Sequence, residues 1–344
     1  MNKVLNIPQN AKSFFANKVI LITGCNGFLG RRFVSYLINI LNELENNNQS
    51  ETHHVYAIDN GITSTPAKVN FPKYITPIDD NAITHDYTKL KNVDIIFHMA
   101  GLASPAQYKK YPLETIDVAT TLTRTLLDFA VKWKAKFIFF SSSEIYGNPF
   151  EPHIPTPESF KGFVACQGPR ACYDESKRMG ETLCHVYSNY YDVYTNIIRP
   201  FNVYGPGMSK FDYRMVPNML KCSIEKKPIQ IYGSGTQTRT FCYIDDAVIG
   251  IILIASTGRF GETYNLGNDK PEVSMIDLVK IFGEATGIEN QVEIIDYPEN
   301  YPADEPLRRC PDLTKIRSHL GYEPEVNLQA GLKKSYQWAL DNYL

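Results

Sequence analysis

Residues 18–24, "KVILITG", run straight into "CNGFLGRRFVSYLINILNEL", and no other junction restricts the fold of this 344-residue chain as much. A continuous β-branched run that ends in glycine reads as a strand buried on both faces, the kind a parallel sheet contains. The stretch after it repeats apolar residues with helical period. Gly24, Gly27 and Gly30 sit at the junction with G-x-x-G-x-x-G spacing. The first allows a tight turn, the second lets backbone approach a pyrophosphate, and the third lets the helix lie close on the strand. The amino end of that helix draws phosphate charge. Strand, glycine turn and helix in this order imply a dinucleotide-binding unit, with Phe28 and Leu29 beside the ligand.

Further buried strands are expected in "HVYAID" (54–59), "VDIIFHMAG" (93–101), "KFIFFSS" (136–142) and "YTNIIRP" (194–200). A helix is expected across 112–133, and a polar loop in "LNELENNNQSETH" lengthens the first crossover. Such alternation predicts an α/β fold, a Rossmann-like doubly wound parallel sheet. After about residue 203 the elements shorten and Gly and Pro become frequent, which suggests a smaller C-terminal α/β substrate-binding lobe. The expected division is an arm at 1–17, a dinucleotide-binding domain at 18–203, and a lobe at 204–344 that can return a strand to the main sheet. His98, inside an apolar run, reads as a satisfied core residue.

Asp59 ends the second strand, where a carboxylate accepts hydrogen bonds from ribose hydroxyls and repels a 2′-phosphate. No Arg follows in "DNGITS", so NAD is favoured over NADP. Asn60 and Ala100 belong to the same expected cofactor edge. Asp86 either reaches the adenine or merely forms a turn.

A net charge of −2 gives no electrostatic reason to expect a nucleic-acid or membrane partner. Seven scattered cysteines with no C-x-x-C pair fit reduced thiols, and no histidine spacing suggests a metal site. The first residues carry no long apolar stretch of the kind a signal peptide needs. A cytoplasmic enzyme is the expectation.

The chemistry is expected around "GPRACYDESKR" (168–178), which holds Tyr173 and Lys177 one helical turn apart. Tyr and Lys at this spacing are common, so the surroundings have to decide. "FFSSSEIYG" (139–147) and "IIRPFNVYGPG" (197–207) leave their strands at the carboxyl edge, where open α/β sheets bind ligands. The following helix carries a stripe of Met179, Leu183, Val186, Tyr187 and Tyr190 that can pack on the sheet or on a partner subunit.

Together these motifs resemble the extended short-chain dehydrogenase/reductase family of nucleotide-sugar enzymes, over roughly 18–340. The resemblance implies that Tyr173 abstracts a sugar hydroxyl proton while NAD takes the hydride. Lys177 holds the nicotinamide ribose and lowers the Tyr173 pKa, and Ser142 bonds the reacting hydroxyl. It also implies a homodimer built on the helices near 112–133 and 174–190.

Within that family the chain looks like the UDP-glucuronate decarboxylases. Ser143-Glu144 stands where 4,6-dehydratases have Asp-Glu and 4-epimerases usually have no carboxylate. "SPAQYKKYP", "YGSGTQTRTFCYIDD" and "RRCPDLTKIRSHLGYEPEV" extend the similarity. It implies that Glu144 and Tyr108 line the sugar site, with Ser143, Arg170 and Asn202 alongside, and that Arg239 and Arg309 clamp the pyrophosphate. Decarboxylation of UDP-glucuronate to UDP-xylose through a 4-keto intermediate is the expected reaction. Epimerisation, oxidation or dehydration of another nucleotide sugar is the alternative, and a non-catalytic NAD sensor a more distant one. Ala119 and Leu122 depart from the family pattern, which has Asn and Gly there. The loop "YGPGMSKFDYRMVP" departs as well.

Overall fold

In the computed structural model, which describes residues 7–47, 52–63, 71–296 and 306–343, the β-branched runs become parallel strands. They are β1 (Val19–Thr23), β2 (His54–Asp59), β3 (Ile75–Asp79), β4 (Ile95–His98), β5 (Lys136–Phe140) and β6 (Thr195–Pro200). A strand from the C-terminal part, Thr263–Leu266, pairs in parallel with β6 and completes a seven-stranded sheet. Parts of the expected arm, of the first-crossover loop and of the Pro-rich stretch near residue 300 lie outside the described residues.

The sheet order is Thr263–Leu266, β6, β5, β4, β1, β2, β3. The chain therefore winds outward from β1 and then returns to its other side at β4. That reversal opens a crevice at the carboxyl ends of β1 and β4, where such sheets bind ligands. Side-chain alternation feeds two large apolar clusters, with Ile20 and Ile22 in one and Leu21 in the other. Burial of every strand residue from Ile20 onward in β1 explains the unbroken apolar run.

The helices include α1 (Gln9–Ser13), α2 (Phe28–Asn47), α3 (Pro105–Lys110), α4 (Pro112–Ala119), α5 (Thr121–Trp133) and α6 (Ala171–Tyr191). The amino-terminal residues pack on the body, with Ala11 and Phe15 fully buried and Lys12 paired to Glu43 at 2.8 Å. The single helix expected over 112–133 is instead two, broken at Thr120 with φ −119° and ψ −68°. The cause is threonine chemistry. Hydroxyls of Thr115, Thr120, Thr123 and Thr125 donate to carbonyls one turn back, and such bonds compete with the helix ladder and bend it.

β3 was not foreseen. "ITPID" contains Pro77 and is half solvent-exposed, which an edge strand tolerates but which hides its periodicity. Beyond β6, Arg239 and Arg309 face each other in a small sheet formed by Thr238–Arg239, Val273–Ser274 and Arg308–Arg309. Among the described residues no helix is long and apolar enough to cross a membrane.

Candidate active site

The glycine turn forms a tight cradle. Gly24 has φ +75°, and a Cβ there would sit 2.6 Å from backbone atoms of Ala100 at the end of β4. A Cβ on Gly30 would meet the Gly24 carbonyl oxygen at 2.1 Å, while one on Gly27 would lie 3.3 Å from it. Phe28 and Leu29, partly buried, start α2 directly above the turn. Asp59 braces the loop, accepting from the Asn26 and Gly61 backbone N–H groups at 2.8 Å each. Each of its oxygens keeps further acceptor capacity, which suits ribose hydroxyls. These residues fit an adenine dinucleotide.

Asn60 and Asp86 are used locally. The Asn60 side chain accepts from Ile62 N–H. Asp86 caps the turn Tyr87–Lys89 through the Thr88 N–H and hydroxyl, the turn-forming alternative.

At the carboxyl edge the catalytic candidates converge. The Tyr173 side chain is buried on α6, close enough to Ser142 at the end of β5 for that hydroxyl to pull its pKa down. Ser142 also accepts from the Glu144 N–H at 3.2 Å, capping the turn Ser143–Tyr146 that buries Ser143. The ring of Tyr108, on α3, stacks on Tyr173 with centroids 5.5 Å apart. Lys177 is buried one turn on, donating to the Phe140 carbonyl at 2.7 Å, with its Nζ 5.9 Å from the Tyr173 ring.

Burial pushes the Tyr173 phenol up, and the opposing pull comes from Ser142, Arg214 and Arg170. Burial also lowers the Lys177 ammonium to about 8, only partly resisted by Glu181. Because the folded state binds fewer protons than the unfolded chain between pH 8 and the ordinary 10.5, stability must rise with pH across that window. A urea titration comparing the protein with Lys177→Met should therefore show the unsubstituted protein gaining on the variant from about pH 8 towards 10.5. A constant difference would place the Lys177 charge in water.

Arg309 and Glu144 form the main surprise. Arg309, expected on a pyrophosphate, pairs with Glu144 through its two terminal guanidinium nitrogens, one at 2.8 Å, and is 7% exposed. Arg170 pairs with the same carboxylate from the start of α6 and contacts Asp174 at 3.4 Å. The small sheet explains the placement, because Arg309 arrives in register with Arg239. Arg239, also expected on the pyrophosphate, donates to the carbonyls of Thr238, Leu307 and Pro306 and holds that strand in place. Asn202, with φ +41°, donates to the Thr240 carbonyl. Glu144, Arg170 and Asp174 border a cavity of about 430 Å³ together with Phe163 and Leu307.

Sequence reasoning missed several groups. Asp212 and Arg214 form a two-nitrogen pair whose positive end bears on Tyr173. A buried ion pair of Arg199 and Glu181 at 2.6 Å also takes the Ser141 hydroxyl, bracing β5 and β6 under the site. His98 is the expected core residue, bonded to the Thr23 hydroxyl, the Val118 carbonyl and the Thr123 hydroxyl. It runs beside Ala119, whose carbonyl is capped by Thr123, while Leu122 is fully buried.

A profile of the NAD dependent epimerase/dehydratase family matches residues 20–267. Arabidopsis thaliana UDP-glucuronic acid decarboxylase 6 is 35% identical over 326 residues, spanning 94% of this chain and 89% of its own. The Xenopus tropicalis UDP-glucuronic acid decarboxylase 1 is 34% identical, over 93% of this chain and 72% of its own. Among solved structures, Bacillus cereus UDP-glucuronic acid 4-epimerase with UDP-glucuronic acid and NAD superposes with a TM-score of 0.80 at 27% identity. That match covers 95% of this chain and 100% of the other.

Proposed function

Because the chain belongs to the NAD dependent epimerase/dehydratase family, we propose that it decarboxylates UDP-glucuronate to UDP-xylose through a 4-keto sugar. The observation that carries this reading is the pairing of Arg170 and Arg309 around Glu144 on the cavity wall. Two guanidinium groups against one carboxylate suit a substrate that brings a carboxylate of its own. Glu144 is clamped by both arginines, so it is poorly placed to act as the protonated acid that elimination of a hydroxyl needs. The decarboxylase relatives support the same choice.

The cofactor is NAD; the Gly24–Gly30 turn and Asp59 would hold it, with Ala100, Tyr173 and Lys177 serving its nicotinamide end. When bound it supplies the hydride acceptor for carbon 4 and returns the hydride at the end of the cycle. Tyr173 takes the carbon-4 hydroxyl proton, positioned by Ser142 and stacked on Tyr108. Lys177 supplies positive charge below it. With a ketone β to the carboxylate, carbon dioxide leaves and its electron pair passes into an enolate. Arg170 and Arg309 orient the carboxylate, while Tyr108, Ser143 and Asn202 line the sugar path. Arg239 supports the phosphate end by fixing the strand that carries Arg309.

The exposed apolar groups Leu113, Ile116, Val131, Met179 and Tyr190 on α4, α5 and α6 support a homodimer. Part of the apolar stripe read along α6 thus faces outward, whereas Tyr187 is buried. Seven unpaired cysteines support a reducing compartment such as the cytoplasm.

The test is proton NMR of the protein with UDP-glucuronate and NAD while carbon dioxide is monitored. UDP-xylose together with carbon dioxide is the expected result. UDP-galacturonate without gas would favour the second reading, 4-epimerisation of the same acid, which the Bacillus cereus structural match motivates. An unchanged substrate would sink the assignment of UDP-glucuronate.

A further inference from the structure

The cavity beside Tyr173 contains a carboxyl group with no assigned task. Asp174 is 6% exposed, its Oδ2 lies 3.4 Å from Arg170 Nε, and its Oδ1 has no hydrogen-bond partner among the described residues. Glu144, in the same cavity wall, is the opposite case, with both oxygens on guanidinium nitrogens. A carboxylate held that way stays ionised, whereas a buried carboxyl with an unpartnered oxygen favours the neutral acid.

On this basis we propose that Asp174 enters the cycle as a carboxylic acid and donates the proton that replaces carbon dioxide on carbon 5. The proposal rests on the decarboxylase reading. Charge bookkeeping in the cavity supports it. With Asp174 neutral, Arg170 and Arg309 exceed Glu144 by one positive charge, which the substrate carboxylate cancels. Were Asp174 ionised, the four groups would already be neutral and a fifth charge would be buried without a partner.

The step balances. The bond from carbon 5 to the carboxylate carbon breaks, carbon dioxide departs, and the electron pair becomes the enolate. The Asp174 proton then bonds to carbon 5 using that pair, and Asp174 is left as a carboxylate beside Arg170. The lost substrate charge is replaced by the new Asp174 charge, so the arginines remain compensated throughout. Solvent entering the cavity after product release restores the proton. Burial pushes the Asp174 carboxyl up against the pull of Arg170 and Arg309, as an acid of this kind requires. Another unpartnered group, the Tyr108 hydroxyl, is also held above its usual range by burial and is the weaker acid.

The experiment runs the NAD-loaded enzyme on UDP-glucuronate in deuterium oxide and reads label at carbon 5 of the product by NMR. The unsubstituted enzyme should place deuterium in one of the two carbon-5 positions. Asp174→Asn should slow product formation by on the order of a hundredfold and put label in both positions, because water then protonates the enolate. Asp174→Ser should scramble the label likewise and serves if the Asn variant does not fold. Asp174→Glu should recover single-site labelling. Single-site labelling at the unsubstituted rate in both neutral variants would overturn the proposal while leaving decarboxylation intact. So would scrambling confined to Tyr108→Phe. Absence of carbon dioxide from the unsubstituted enzyme would remove the functional reading and this proposal together.

Discussion

Tyr173→Phe is expected to lower turnover of UDP-glucuronate by about 10²- to 10⁴-fold, the usual contribution of a positioned acid–base group. The loss should fall on the chemical step alone. Phenylalanine fills the same buried space, keeps the stack on Tyr108 at 5.5 Å, and leaves Ser142 free to accept from the Glu144 N–H. NAD affinity and melting temperature should therefore stay near those of the unsubstituted protein. The surroundings of the phenol add a second readout. Burial raises its pKa and the neighbouring Ser142 hydroxyl lowers it, so Ser142→Ala should push the pKa higher. The base is active when deprotonated, and the acid limb of the pH–rate profile should accordingly move to higher pH. A Tyr173→Phe enzyme within tenfold of the unsubstituted one would remove this hydroxyl from the reaction.

Gly30→Ala should do the most damage to cofactor binding. The added methyl carbon would lie 2.1 Å from the Gly24 carbonyl oxygen and 3.0 Å from Cys25 backbone and Cα atoms. None of these is the end of a flexible side chain, so the turn itself has to move. It is tied to β2 by the Gly24 N–H on the Ile58 carbonyl and by the Asn26 N–H on Asp59, both at 2.8 Å. Overpacking of this kind costs about 1–3 kcal/mol, which as lost binding is roughly a 5- to 150-fold weaker Kd for NAD. Gly27→Ala, whose methyl would sit 3.3 Å from the same oxygen, should cost less. Calorimetric titration with NAD reads both. Equal affinities for the two variants would mean that the turn has slack the geometry does not show.

Legibility in the sequence followed the range of the interactions. β2 runs from His54 to Asp59, the bounds read from its pattern, because a strand buried in a parallel sheet needs an unbroken apolar run. The glycine turn was equally readable, since a steric requirement at Gly24 and Gly30 leaves one permissible residue type. Two elements escaped for local reasons: Pro77 and exposure masked β3, and threonine side chains broke the helix at Thr120.

The arginines mark the boundary more sharply. Resemblance assigns Arg239 and Arg309 to a pyrophosphate; the fold adds the contacts of Arg239 with backbone carbonyls and of Arg309 with Glu144. Nothing in the local pattern around Arg309 points to a carboxylate 165 positions away. Asp174 stood inside the motif that drew attention to Tyr173 and was passed over, because only burial separates an acid that keeps its proton from an ordinary helix carboxylate.

The sequence by itself thus determined the parallel sheet, the dinucleotide turn and the Tyr173–Lys177 pair, all encoded in periodicity or spacing over a few residues. Only the tertiary structure decided how charge is distributed in the sugar cavity. Ion pairing and desolvation depend on which distant segments meet and on how much water is left between them, and neither is a property of any short stretch of chain.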